Sequence, residues 1–251
     1  MLFRSDGTYL TAQNIENATQ NELHNAREHQ LCANLAETCY SDEHSETVGE
    51  ARLNHNYVVN NQQQGFHACV YETNDTIYIV YRGTDDFADG INDSLMFGYA
   101  LPPQYHAARA LYERVASSPE NKDKRFVVTG HSLGGSLAQL VACTNFEDNI
   151  KRPTAVTFNA FGTKNMQRSR LLLTYNRIQP TNNFSENPNI INYAVQNDCI
   201  AYTREHPGST FYFPENKDDV LGCQQHFMHN FTKNNALGFF IDAQKYLPQN
   251  T

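Results

Sequence analysis

Residues 125 to 137 read Arg125-Phe126-Val127-Val128-Thr129-Gly130-His131-Ser132-Leu133-Gly134-Gly135-Ser136-Leu137. The apolar run Phe126, Val127 and Val128, ending in Thr129, predicts a short buried strand. From Ser132 onward, Leu133, Leu137, Leu140 and Val141 recur at helical spacing, with Ala138 and Ala142 filling in. Between strand and helix, Gly130 to Gly134 has the form G-x-S-x-G. A serine held at a sharp strand-to-helix turn projects its hydroxyl above the edge of a sheet. Glycines flank it because side chains there collide with the neighbouring strand and helix. The unsatisfied N–H groups and the positive end of the helix then face the point where an oxyanion forms. A glycine-rich turn with an incidental serine is the competing reading, but the strand before and the amphipathic helix after weigh against it. Ser132 is a candidate nucleophile.

Outward from this elbow, strands and helices alternate. Residues 65–71 and 76–81 alternate apolar and polar like strands, with a turn signal at 72–75 between them. Residues 13–39 and 104–116 have helical apolar faces, the first through Leu23, Ala26, Leu31, Leu35 and Ala36. Beyond the elbow the pattern predicts a strand over 154–161, a helix over 165–175 and a strand over 190–195. A short strand or hairpin arm at 209–213 follows, then mixed helix and loop over 227–240. This order implies an α/β fold: a mostly parallel central sheet with helices on both faces and an antiparallel hairpin at one edge.

A chain of 251 residues buries about 70 to 75% of its unfolded surface in one core. No linker-like stretch divides it, so a single domain over 1–251 is expected, with a helical N-terminal arm over 1–60. The net charge of −8 argues against nucleic acid and against electrostatic docking on anionic lipid. Residues 1–10 lack the basic start and apolar core of a signal peptide. The six cysteines (Cys32, Cys39, Cys69, Cys143, Cys199, Cys223) show no C-x-x-C spacing and read as reduced thiols. The expectation is a cytoplasmic protein, or one exported, as a bacterial effector is, by a route that uses no cleavable signal.

A serine hydroxyl needs a histidine to take its proton and a carboxylate to orient that histidine. On sheets of this kind the partners follow the serine in the order acid, histidine. Asp198 comes directly after the predicted strand 190–195 and fits the acid. Glu205, Asp218 and Asp219 are rivals that no clear strand precedes. For the base, His226 and His229 both follow, as does His206, which lies too close to Asp198 for the chain to double back. His131, beside the serine, reads as lining the cleft or packing beneath it. Cys223, His226 and His229 form C-x2-H-x2-H, but no second cysteine pair or H-E-x-x-H supports zinc there. No metal and no cofactor are expected.

Four motifs together resemble the class 3 lipase family, fungal-type lipases of the α/β-hydrolase fold. They are Tyr81-Arg82-Gly83-Thr84, Gly130 to Gly135, Asn197-Asp198, and His226-Phe227-Met228-His229-Asn230-Phe231. The resemblance spans roughly residues 30–235. It implies a serine lipase or phospholipase that hydrolyses carboxylic esters of acylglycerols or, A1-type, of phospholipids through an acyl-enzyme. It implies the triad Ser132, Asp198 and His226, with Thr84 and the N–H of Leu133 as oxyanion donors, and favours His226 over His229. It also implies a lid over 85–103, where Phe87, Ile91, Leu95, Met96 and Phe97 stand among aspartates. The partner is then a lipid ester, with transient contact at a membrane or lipid-droplet surface. A soluble-ester hydrolase without lipid preference, and a lipase-like binding scaffold with a vestigial site, are the readings that compete with it.

Overall fold

The computed structural model describes residues 8–9, 18–61, 65–84, 101–147, 149–167, 189–215, 224–233 and 236–247. The strands alternate their side chains between two cores, as period-two geometry requires. In β5 (Phe66–Glu72), β6 (Thr76–Tyr81), β7 (Arg125–His131), β8 (Thr154–Phe158) and β9 (Ile190–Val195), neighbouring residues face opposite layers. Ile77, Ile79, Phe126, Val128 and Ala155 pack with helices α2 (Tyr105–Ala116) and α3 (Leu133–Ala142). Tyr78, Val80, Val127, Val156 and Tyr193 pack on the other face. That face is covered by α1 (Gln20–Thr38), α5 (His229–Thr232) and α6 (Ala236–Gln244). Helix α4 (Lys164–Gln167) is a single turn after β8.

The sheet of the described residues runs β1-β10-β9-β8-β7-β6-β5-β3-β2, with β4 also on β5. Here β1 is Thr8–Tyr9, β2 Thr47–Val48, β3 Ala51–Leu53, β4 Val59–Asn61 and β10 Ser209–Phe213. From β6 to β10 neighbours are parallel, with Ile79 opposite Val128, Val128 opposite Ala155, Val156 opposite Ile191 and Tyr193 opposite Phe211. The expected mostly parallel sheet with helices on both faces is present, and all its parallel strands end at one edge. Sites in open α/β sheets lie outside that carboxyl edge.

Some details differ from the sequence reading. The antiparallel part is broader than a hairpin, because β5 carries β3 and β4 and β3 carries β2. Residues 1–60 thus contain strands as well as α1; strands of two or three residues are too short to display a period. Of the two readings offered for residues 209–213 the strand holds, running parallel on β9. Helix α1 starts where a capping box allows, with the N–H of Glu22 donating to Thr19 Oγ1 at 3.2 Å and the N–H of Thr19 to Glu22 Oε2 at 2.8 Å. Of the lid stretch, residues 85–100 lie outside the described residues, as does most of the helix expected over 165–175. Among the described residues no helix is long and apolar enough to cross a membrane.

Of the histidines buried among the described residues, His29 and His131 lack a carboxylate partner. Burial pushes His29 down to about 4; it sits against the Tyr193 hydroxyl at 2.7 Å. Burial, and then the neighbouring His226, hold His131 well below the usual imidazole range. The unfolded chain takes up protons at these side chains near pH 6.5, whereas the native chain does so only at lower pH. Stability contributed by their burial is therefore present above pH 6.5 and is lost as pH falls below it. Melting temperature should hold steady from pH 8 to 7 and fall steeply between about 6.5 and 4. A flat profile through that interval would show that these rings are not kept neutral.

Candidate active site

The elbow has the backbone that its sequence demands. Ser132 adopts φ 55°, ψ −124°, a region that side-chain-bearing residues rarely enter, at a cost of about 1–3 kcal/mol. Hydrogen bonds hold it there: its N–H donates to the Phe158 carbonyl at 3.0 Å, and its own carbonyl accepts from the Ser136 N–H at 3.1 Å. A Cβ on Gly134 would lie 2.0 Å from the Tyr81 carbonyl oxygen, and one on Gly130 2.5 Å from the same atom. Only glycines let α3 start this close to the end of β6.

That closeness brings the end of β6 to the serine. A Cβ on Gly83 would lie 3.4 Å from Ser132 Cβ and 2.3 Å from the Tyr40 hydroxyl. The segment Arg82-Gly83-Thr84 thus passes beside the nucleophile candidate, with Thr84 half-buried. On the other side Leu133 is the first residue of α3, so its N–H is one of the helix's orphan donors.

Asp198 and His226 are brought together from 28 residues apart: His226 Nδ1 lies 2.9 Å from Asp198 Oδ2. Asp198 is fully buried and its other oxygen accepts from the N–H groups of Ile200 at 3.0 Å and Ala201 at 2.5 Å. With both oxygens engaged, the carboxylate fixes His226 with the proton on Nδ1 and leaves Nε2 as the acceptor nitrogen. Among the described residues the Ser132 hydroxyl makes no hydrogen bond to this imidazole. Such bonds are commonly long without substrate and tighten when it binds.

Two residues whose contribution the sequence did not reveal hold the His226 loop. His131 Nε2 lies 2.6 Å from the His226 carbonyl oxygen, and its ring packs on the His226 ring with centroids 4.6 Å apart. Because a carbonyl only accepts, His131 carries its proton on Nε2, and its Nδ1 accepts from the Tyr40 hydroxyl at 2.8 Å. Asn159, fully buried at the end of β8 with φ 41°, donates from Nδ2 to the carbonyls of Gln225 at 2.7 Å and His226 at 3.0 Å. Its Oδ1 accepts the Val195 N–H at 2.8 Å. Positive φ at Ser132, Asn159 and Asn197 places strained residues after β7, β8 and β9, all at the same edge. A strand-final asparagine was the available sequence signal. Asn159→Ala should lower kcat by up to ~10²-fold through a displaced imidazole, measured with Tm to separate misplacement from unfolding. An unchanged kcat would mean that His131 suffices to seat the loop.

The rivals lie elsewhere. His206 is held by Gln139 Nε2 at 3.0 Å and by the Ala201 carbonyl at 2.9 Å. Glu205 pairs with Lys164 at 3.0 Å. His229 is exposed and stacks on Phe227, centroids 6.2 Å apart. Asp218, Asp219 and Cys223 lie outside the described residues. Among the described residues the group able to hold a metal is Cys39, His67 and Cys69, with His67 and Cys69 on β5, two strands from the elbow.

Solved structures share this arrangement of sheet and helices. The triacylglycerol lipase from Penicillium expansum matches with a TM-score of 0.53 at 15% identity, over 86% of this chain and 89% of that one. Lip2 lipase from Yarrowia lipolytica matches at 0.52 and 16% identity, over 78% of this chain and 80% of that one. The Rhizomucor miehei lipase propeptide complex matches at 0.50 and 17% identity, over 81% and 73%. At these identities the likeness establishes the α/β-hydrolase fold. No curated protein sequence matches the chain. The model of one family, the Tle-like phospholipase domain, matches residues 31–237, which is most of the chain and includes the elbow, Asp198 and His226. The chain belongs to the family of Tle-like phospholipase domains.

Proposed function

We propose that this protein is a serine hydrolase of lipid carboxylic esters, acting on phospholipids at the A1 position or on acylglycerols, through an acyl-enzyme. Ser132 attacks the ester carbonyl while His226 Nε2 takes its proton. Asp198 holds the imidazole in the required tautomer and stabilises the imidazolium. The tetrahedral oxyanion is met by Thr84 and the N–H of Leu133. His226 then gives its proton to the leaving alcohol, and a water activated by the same imidazole releases the acid. The observation that carries this reading is the buried Asp198–His226 hydrogen bond of 2.9 Å at the sheet edge where Ser132 is held at φ 55°.

A lipid substrate is supported by the family's phospholipase description. It is supported also by Phe227, next to the imidazole and 47% exposed, which offers apolar surface to an acyl chain. In this reading 1–251 acts as one hydrolase domain that meets its substrate at a membrane or droplet surface. A cytoplasmic location and delivery as a bacterial effector both accommodate it. Phospholipid and triacylglycerol should be offered as monomers and as aggregates, with products separated by chromatography. The rate should rise sharply once aggregates form, releasing fatty acid and, from phospholipid, a lysophospholipid. Equal turnover of soluble short-chain esters with no rise at aggregates would replace the lipase by a soluble-ester hydrolase.

A further inference from the structure

Behind the elbow, where α1 meets β5, four side chains converge that the hydrolase chemistry does not use. Cys39 caps the C-terminus of α1, His44 lies in the loop that follows, and His67 and Cys69 sit two apart on β5, hence on one face of the strand. Cys39 Sγ and Cys69 Sγ are 3.1 Å apart, and both sulfurs are fully buried. His67 Nε2 and His44 Nε2 are 3.0 Å apart, and both ring nitrogens of His44 lie 3.5 Å from Cys69 Sγ. Donor atoms of Cys39, His67 and Cys69 all fall within 4.8 Å of one another.

We infer that Cys39, Cys69, His67 and His44 form a structural zinc site. Zn–S bonds near 2.3 Å and Zn–N bonds near 2.0–2.1 Å on a tetrahedron place S···S at about 3.8 Å, S···N at about 3.6 Å and N···N at about 3.3 Å. The Cys69–His44 spacing of 3.5 Å matches the S···N value, while N···N at 3.0 Å falls about 0.3 Å short and S···S at 3.1 Å about 0.7 Å short. Cys39, His67 and Cys69 form the core of the site, and loading needs the two sulfurs to part and the His44 ring, which lies outside that group of three, to swing in as the fourth ligand. Two thiols and two imidazoles are the donor set zinc favours, whereas the hard cations take oxygen. Loading releases the two thiol protons, and two thiolates balance the dication. A neutral site is compatible with the nearby Arg82 guanidinium, whose Nη1 is 3.3 Å from His67 Nδ1 and 3.1 Å from Asp42.

The same atoms also allow a metal-free relay, in which Arg82 donates to His67 Nδ1 and His67 Nε2–H donates to His44. Zinc on Nε2 moves the His67 proton to Nδ1 and turns Arg82 toward Asp42. A Cys39–Cys69 disulfide would engage the sulfurs but leave both imidazoles gathered around them without a role. The site joins α1, the following loop and β5 at a sensitive place. Tyr40, next to Cys39, donates to His131, and Arg82 leads into the Gly83-Thr84 segment beside Ser132. The inference does not rest on the hydrolase reading.

Metal analysis of protein purified under reducing conditions should find stoichiometric zinc. Cys69→Ser should bring it near zero, while Cys143→Ser, at a buried cysteine outside the cluster, should leave it unchanged. After chelation, cobalt(II) added to the reduced, unaltered protein should produce a thiolate-to-cobalt charge-transfer band together with intense tetrahedral d–d bands. His67→Ala should weaken both. The cobalt titration decides alone if Cys69→Ser fails to fold. Absence of zinc together with absence of the charge-transfer band would overturn the site. So would thiol titration showing Cys39 and Cys69 oxidised to each other in the purified, untreated protein.

Discussion

Ser132→Ala should lower kcat for ester hydrolysis by about 10⁶-fold, the loss seen when the nucleophile of a serine–histidine–acid set is removed. Folding should be retained. The Ser132 hydroxyl makes no hydrogen bond among the described residues. The bonds that hold the strained turn use the backbone of Ser132, through the Phe158 carbonyl and the Ser136 N–H. Alanine keeps those bonds and is strained at φ 55° much as serine is. A matched thermal melt with abolished turnover would therefore isolate the chemistry from the fold. Turnover within tenfold of the unaltered protein would remove Ser132 from the mechanism.

The second large effect separates two histidines three residues apart. His226→Ala should cost a similar factor of about 10⁶, while His229→Ala should change kcat by less than about threefold, since an exposed side chain that stacks on Phe227 and not on the Asp198–His226 pair contributes little. His226→Ala also leaves a fully buried carboxylate with one oxygen unpaired, which costs about 3–5 kcal/mol of stability. Asp198→Asn provides the cleaner control. Its Oδ1 still accepts from Ile200 and Ala201, but its amide donates toward His226 Nδ1 and forces the proton onto Nε2. A neutral imidazole in that tautomer cannot act as base, and kcat should fall by about 10⁴-fold with little loss of fold. Equal losses for His226→Ala and His229→Ala would overturn the assignment of the base.

The features readable in the sequence were those expressed locally. The elbow announces itself because strand, glycines, serine and helix are contiguous from Arg125 to Leu137. The central strands were legible because β5 to β9 are five to seven residues long and bury alternate faces. Asp198 was found from its place after β9. What escaped depends on contacts between distant segments. Strands β2 to β4 are too short to carry a period. Asn159 fell inside the strand expected over 154–161, yet it stands just past the end of β8 and ties the ends of β8 and β9 to the carbonyls of Gln225 and His226. The thiol and imidazole cluster follows a C-x4-H and H-x-C pairing at Cys39, His44, His67 and Cys69. That pattern becomes visible only when β5 packs under the end of α1, and so the cysteines looked scattered.

The central claim is that the Ser132 hydroxyl is activated by an imidazole delivered from the C-terminal part of the chain. Fluorophosphonate treatment of the native protein, followed by peptide mass mapping, tests it most directly. One adduct is predicted, on Ser132, formed rapidly in the unaltered protein and slowed by several orders of magnitude in His226→Ala. An active protein that remains unlabelled, or one labelled at another residue with matching loss of activity, would contradict it.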